Sequence, residues 1–103
     1  MNFQKLQQQA FECLKQDNYT EAISLYKQCI DANPTENYNY WYLGIALLLQ
    51  GNEPDAEFTW LSIIAQGDSE EIDIWTAELI KVLDTEASRY QQFGKLQQAE
   101  KIY

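Results

Sequence analysis

Apolar residues recur at three- and four-residue intervals along most of the chain, the spacing that gathers side chains on one face of an α-helix. Phe3, Leu6, Ala10, Cys13 and Leu14 mark a first helix over 3–16, ended by Asp17-Asn18. A second carries Ala22, Leu25, Tyr26, Cys29 and Ile30. Asn18 is placed to cap it, with Glu21 three residues on reaching back as in a capping box. Asn33-Pro34 stops it, because the residue before a proline is pushed out of the helical region. The third helix, started by Thr35, contains Tyr38 to Leu49, Tyr-Asn-Tyr-Trp-Tyr-Leu-Gly-Ile-Ala-Leu-Leu-Leu, which is apolar or aromatic almost all the way round. Such a helix must be covered on every side. It is also shorter than the roughly 20 residues that a bilayer crossing needs. The pattern therefore makes it the central helix of a small array.

Gly51 can close that helix in the left-handed conformation. Asn52 caps a fourth, in which Pro54 is tolerated in the first turn and Phe58, Trp60, Leu61, Ile63 and Ile64 run up to Gly67. Asp68 and Glu71 form another capping pair. They open a longer fifth helix through Ile72, Trp75, Leu79, Val82, Leu83, Ala87 and Tyr90 to Gly94. A sixth begins near Lys95 with Leu96, Ala99, Ile102 and Tyr103, two to three turns before the sequence ends. All of this predicts an all-α fold in one domain, 1–103, built from hairpins 3–33, 35–67 and 69–103.

Charge narrows the list of partners. The chain has 16 acidic and 7 basic residues, a formal charge of -9. Ten of the acids, Glu53, Asp55, Glu57, Asp68, Glu70, Glu71, Asp73, Glu78, Asp84 and Glu86, lie in a segment whose single base is Lys81. A phosphate backbone would be repelled there and no basic patch appears elsewhere, so nucleic acid is not expected. The acids read as a solvated face, or as a guide for a basic partner. The N-terminus has no continuous apolar run, so neither a signal peptide nor a membrane anchor is expected. Cys13 and Cys29 have no Cys-x-x-Cys spacing and no histidine beside them, which points to buried, reduced thiols and a cytoplasmic location.

Catalytic chemistry has little to draw on. There is no histidine, no glycine-rich phosphate loop and no set of spaced metal ligands. Asp68-Ser69-Glu70-Glu71-Ile72-Asp73 lacks the turn glycine and the bidentate glutamate of a calcium loop, and reads as a helix N-terminus. No enzymatic activity and no cofactor are expected of this chain.

An internal repeat carries more information. Ala10, Asp17, Ala22, Tyr26 and Pro34, moved on by 34 positions, land on Gly44, Gly51, Ala56, Trp60 and Asp68; a further 43 gives Ala87, Gly94, Ala99 and Tyr103. Each copy has a small residue, a turn residue, an alanine and an aromatic at matching intervals. Two antiparallel helices approach closely only where a small side chain faces the crossing, and an aromatic fills the space between hairpins. This pattern resembles the tetratricopeptide repeat, a helix-turn-helix unit of about 34 residues. The resemblance rests on Ala10, Ala22, Tyr26 and Pro34, then Tyr40, Leu43, Gly44, Gly51, Ala56 and Trp60, and in the third copy on Ala87, Tyr90, Gly94, Leu96, Ala99 and Tyr103. It implies a right-handed array of three repeats. The nine extra positions of the third copy lengthen its first helix by about two and a half turns, and its second helix is truncated.

The resemblance implies a protein-protein interaction scaffold whose first helices line a concave groove. The positions that match are Gln4, Gln7, Gln8, Phe11 and Leu14, then Tyr38, Trp41, Tyr42, Ile45 and Leu48. A lining of this kind suits a peptide or amphipathic helix with bulky apolar anchors. Tyr40 and Leu43 are core by the same pattern. Trp41, Tyr42 and Ile45 are alternatively covered from within by Ile72, Trp75 and Leu79 of the fifth helix. The Lys, Arg and Asn with which chaperone-binding members hold a terminal carboxylate have no counterparts here, and Gln8, Tyr42 and Thr85 replace the asparagine ladder of members attached to glycosyltransferases. A second reading starts from the apolar, uncapped C-terminal end. There the chain would be the leading recruitment domain of a longer enzyme, such as a glycosyl- or methyltransferase, or two copies would cover each other's open ends as a homodimer.

Overall fold

A computed structural model of the chain describes residues 3–92 and residue 102. Among these the fold is all-α, with helices α1 (Phe3–Lys15), α2 (Tyr19–Ala32), α3 (Asn37–Gln50), α4 (Glu53–Ile64) and α5 (Ser69–Gln92). The expected sixth helix lies outside the described residues except for Ile102, which is helical and buried. The chain divides into two compact units, Met1–Trp60 and Leu61–Tyr103.

Within the first unit the two helix ends 34 positions apart close in the same way. After α1, Asn18 N–H donates to the Cys13 carbonyl at 2.9 Å and Asp17 N–H to Leu14 at 3.1 Å. After α3, Asn52 N–H donates to Leu47 at 2.9 Å and Gly51 N–H to Leu48 at 3.1 Å. Both are Schellman closures, in which the residue following the helix must be left-handed. Gly51 has φ 100 and Asp17 has φ 63. Aspartate is among the few side chains that tolerate this region. The turns are thus equivalent in hydrogen bonding although one has a glycine and the other does not.

Helix starts follow the sequence less closely. Asn18 sits at the N-cap of α2 but its side chain makes no capping bond, so the box expected with Glu21 is absent. Helix α3 starts at Asn37 rather than Thr35, with the Glu36 side chain accepting from Tyr38 N–H at 3.4 Å. Thr35 instead donates its hydroxyl to Asn33 Oδ1 at 2.9 Å. Asn52 caps α4 through Asp55 N–H at 3.4 Å. In the second unit the box on α5 is complete: Glu71 N–H donates to Asp68 Oδ1 at 2.9 Å and Asp68 N–H to Glu71 Oε1 at 3.1 Å.

Helix α3 runs parallel to α1 and antiparallel to α2. Gln7 and Phe11 of α1 meet Asn39 and Tyr42 near the start of α3, while Gln50 at its end donates to Thr20 at the start of α2 at 3.0 Å. The small residues sit where close approach requires them: Ala10, Ala22, Ala56 and Ala87 are fully buried and Gly44 is buried. Ala99, the sixth of the set, lies outside the described residues. The Gly44 backbone lies against the pyrrole ring of Trp60, and an added Cβ would collide with the indole. The Trp60 Nε1–H donates to the Trp41 carbonyl at 3.1 Å, so one contact closes the α3–α4 crossing.

In the second unit, Leu79, Val82, Ala87 and Tyr90 are buried and recur at helical spacing along α5. Glu86 falls in that stripe and is 1% exposed. Both its oxygens accept from Arg89, at 2.9 Å from Nε and 3.3 Å from Nη2. The guanidinium lies 4.6 Å over the Tyr90 ring. Tyr40, expected in the core, is half-buried with its hydroxyl on the Pro34 carbonyl at 3.1 Å, and Phe58, Leu61 and Ile72 of the apolar pattern are exposed.

Cys29 is buried as expected, whereas Cys13 is only half-buried. Burial pushes both thiols above their ordinary pKa, Cys13 also through the carboxylates of Glu21 and Glu12. With Ellman's reagent at neutral pH we expect Cys29 to be silent, Cys13 slow and both immediate in denaturant. The folded thiols hold their protons after those of the unfolded chain begin to leave, so stability falls as pH rises through about 8.5. A native Cys29 reacting as fast as the denatured one would show that it is accessible.

Candidate functional site

The first unit holds a cavity of about 210 Å³ lined by Gln7, Phe11, Tyr26, Tyr38, Asn39 and Tyr42. Three helices build it. Gln7 and Phe11 are four apart on α1 and share a face, as do Tyr38 and Tyr42 on α3. Tyr26 enters from α2. Tyr42 holds the aromatic wall together. Its ring meets Phe11 edge-on, with centroids 5.7 Å apart, and stacks on Tyr26 at 5.9 Å, each contact worth about 0.5–1.5 kcal/mol beyond area burial.

At the polar side of the wall, Gln7 Nε2 donates to Asn39 Oδ1 at 3.0 Å. Asn39 is 1% exposed, and its Nδ2 has no hydrogen-bond partner. No charged side chain lines the cavity. Lys15 lies 5.2 Å over the Phe11 ring and is paired with Glu12 at 2.8 Å. The arrangement can therefore hold an apolar or aromatic group, with one neutral donor buried in its wall. It contains no nucleophile with a base beside it, and among the described residues no cluster of three His, Cys, Asp or Glu could hold a metal ion.

Of the residues expected to form a groove, Gln7, Phe11, Tyr38 and Tyr42 are brought together here. Trp41, Ile45 and Leu14 are fully buried, which corrects their assignment to a groove surface. Ile45 lies on the same side of α3 as Trp41, four residues on, so the two are covered together. Gln4 is exposed and Leu48 half-buried, and neither reaches the cavity. Gln8 belongs to a separate, wider depression of about 590 Å³ with Lys5, Gln9, Glu12, Cys13, Glu21 and Leu25.

Two lining residues have no place in the sequence-based groove. Tyr26 reads as the aromatic of the repeat, and Asn39 as a polar residue of a first turn. A signal for Asn39 exists in its position, three before Tyr42 in a helix that is otherwise apolar or aromatic. No described helix is long and apolar enough to cross a membrane. No protein-family model, no curated protein and no solved structure matches the chain.

Proposed function

We propose that the chain is a tetratricopeptide-like interaction module that binds a peptide or helix of another protein. The observation that carries this reading is the aromatic cavity where α1, α2 and α3 meet, to which four of the residues assigned to a groove by repeat position contribute. Further support comes from the matching turn closures at Asp17 and Gly51 and from the buried small residues at Ala10, Ala22, Gly44 and Ala56. Binding modules place bulky anchors in apolar pockets surrounded by polar groups, and Gln7 with Asn39 supplies such a polar edge. On this reading the chain itself performs no catalysis and acts in the cytoplasm through a protein partner.

Selection from a library of random linear peptides displayed on phage tests the proposal with the intact chain. The enriched peptides are expected to share bulky apolar residues. Tyr38→Ala is expected to weaken them about fivefold to tenfold, roughly 1–1.4 kcal/mol, with an unchanged urea midpoint, because Tyr38 is 46% exposed. A selection that enriches no sequence, or peptides indifferent to Tyr38, would remove the groove.

A further inference from the structure

Among the described residues, Asn39 Nδ2 is the buried side-chain atom left without a partner. Buried donors in native proteins are nearly always satisfied, and an orphan forfeits the solvation of its N–H groups with no return. A leucine at this position would have a similar volume and no such penalty. The cost is placed in the wall of a cavity, beside rings that leave the rest of the wall uncharged.

We infer that this cavity is an anchor subsite for a single bulky apolar side chain of an extended segment, the Asn39 amide turning to donate its Nδ2 to a main-chain carbonyl next to that side chain. The inference rests on the interaction-module reading and narrows it. About 210 Å³ leaves room for one leucine or phenylalanine side chain and too little for a helix. The acceptor must be neutral, since no Lys or Arg lines the cavity to offset a buried carboxylate or phosphate. A lysine or amide anchor would bring further donors to a site that already has one in excess. In an α-helical partner the interior carbonyls are already accepting from the residue four positions on, and only those of its last turn are free. An extended segment offers a free carbonyl beside every anchor.

The test uses the full chain, ¹⁵N-labelled, and three probes: acetyl-Ala-Ala-Phe-Ala-Ala-amide, the same peptide with Lys in place of Phe, and N-acetylphenylalaninamide. The Phe peptide is expected to move the Asn39 side-chain NH₂ signals and the Tyr38 and Tyr42 backbone amides saturably, while the Lys peptide leaves them in place. The single-residue amide should bind about tenfold more weakly, and Asn39→Leu should weaken the Phe peptide about tenfold. Should Asn39→Leu fail to fold, Tyr38→Ala must produce a comparable loss. Equal binding of the single-residue amide would overturn the assignment to a protein segment. Full affinity of Asn39→Leu, or an unmoved Asn39 NH₂ signal, would overturn the role of the donor. Peptide-induced shifts confined to Gln4 and Gln8 would overturn the subsite while leaving a groove elsewhere on α1. If neither these peptides nor the phage library bind at all, the interaction-module reading fails with it.

Discussion

Gly44→Ala is expected to destabilise the chain by about 2–4 kcal/mol, more than most single-methyl additions. In an exposed helix the same change would be favourable by about 1 kcal/mol, since alanine outranks glycine as a helix former. Here the added carbon would collide with the Trp60 indole, which must swing away. Its hydrogen bond to the Trp41 carbonyl is lost with the move, and a donor and an acceptor in a part-buried crossing are left to find other partners. Gly51→Ala makes the comparison. Nothing lies within 4 Å of a Cβ there, and the sole constraint is φ 100, so the cost is the left-handed penalty of about 1–2 kcal/mol. Urea titrations followed by circular dichroism should rank Gly44→Ala below Gly51→Ala. If Gly44→Ala unfolds within about 0.5 kcal/mol of the parent chain, inside the range of an ordinary surface substitution, the α3–α4 crossing is looser than described.

The second large effect belongs to Arg89. Glu86 is 1% exposed and receives both of its ionic hydrogen bonds from this one side chain. Arg89→Met would leave a carboxylate in the buried stripe of α5 without a compensating charge, a loss of about 3–5 kcal/mol. Replacing both partners is a different experiment. A Glu86→Leu, Arg89→Met chain removes the desolvated charges together and should be close to neutral or more stable than the parent. The urea midpoint of the double variant therefore has to exceed that of Arg89→Met. If the two single substitutions simply add, the residues act independently and the ion pair contributes little to the stability of α5.

The parts of the fold fixed by backbone chemistry were the most legible. Pro34 and Gly51 ended their helices where the sequence placed them, and the Asp68 and Glu71 side chains closed their box as expected. The Asn18 and Glu21 pair has the same spacing but no capping bond. There the Asn18 N–H is already donated to Cys13 in the closure of the preceding helix, which leaves Glu21 no donor to reach back to, a local demand set outside a motif of four residues. Glu86 was hidden for a different reason: counted by charge it is one of ten acids on a solvated face, whereas by position it stands four after Val82 and one before Ala87, inside the stripe. The candidate site was half legible. Repeat position found Gln7, Phe11, Tyr38 and Tyr42, because it reports which face of a helix points inward. It could not tell that Trp41 and Ile45 would be sealed, since an apolar helix needing cover all round gives the same pattern on its lined and its covered sides.

Trp60 and Trp41, joined through the Nε1–H to carbonyl bond, also have an optical consequence. Of the three tryptophans, two lie in residues 1–60 and Trp75 alone in residues 61–103. A chain with Trp75→Phe would thus emit from its first unit alone, with Trp41, fully shielded from water, as the blue component of the spectrum. Its red shift during denaturation would date the opening of the α3–α4 crossing separately from the loss of α5.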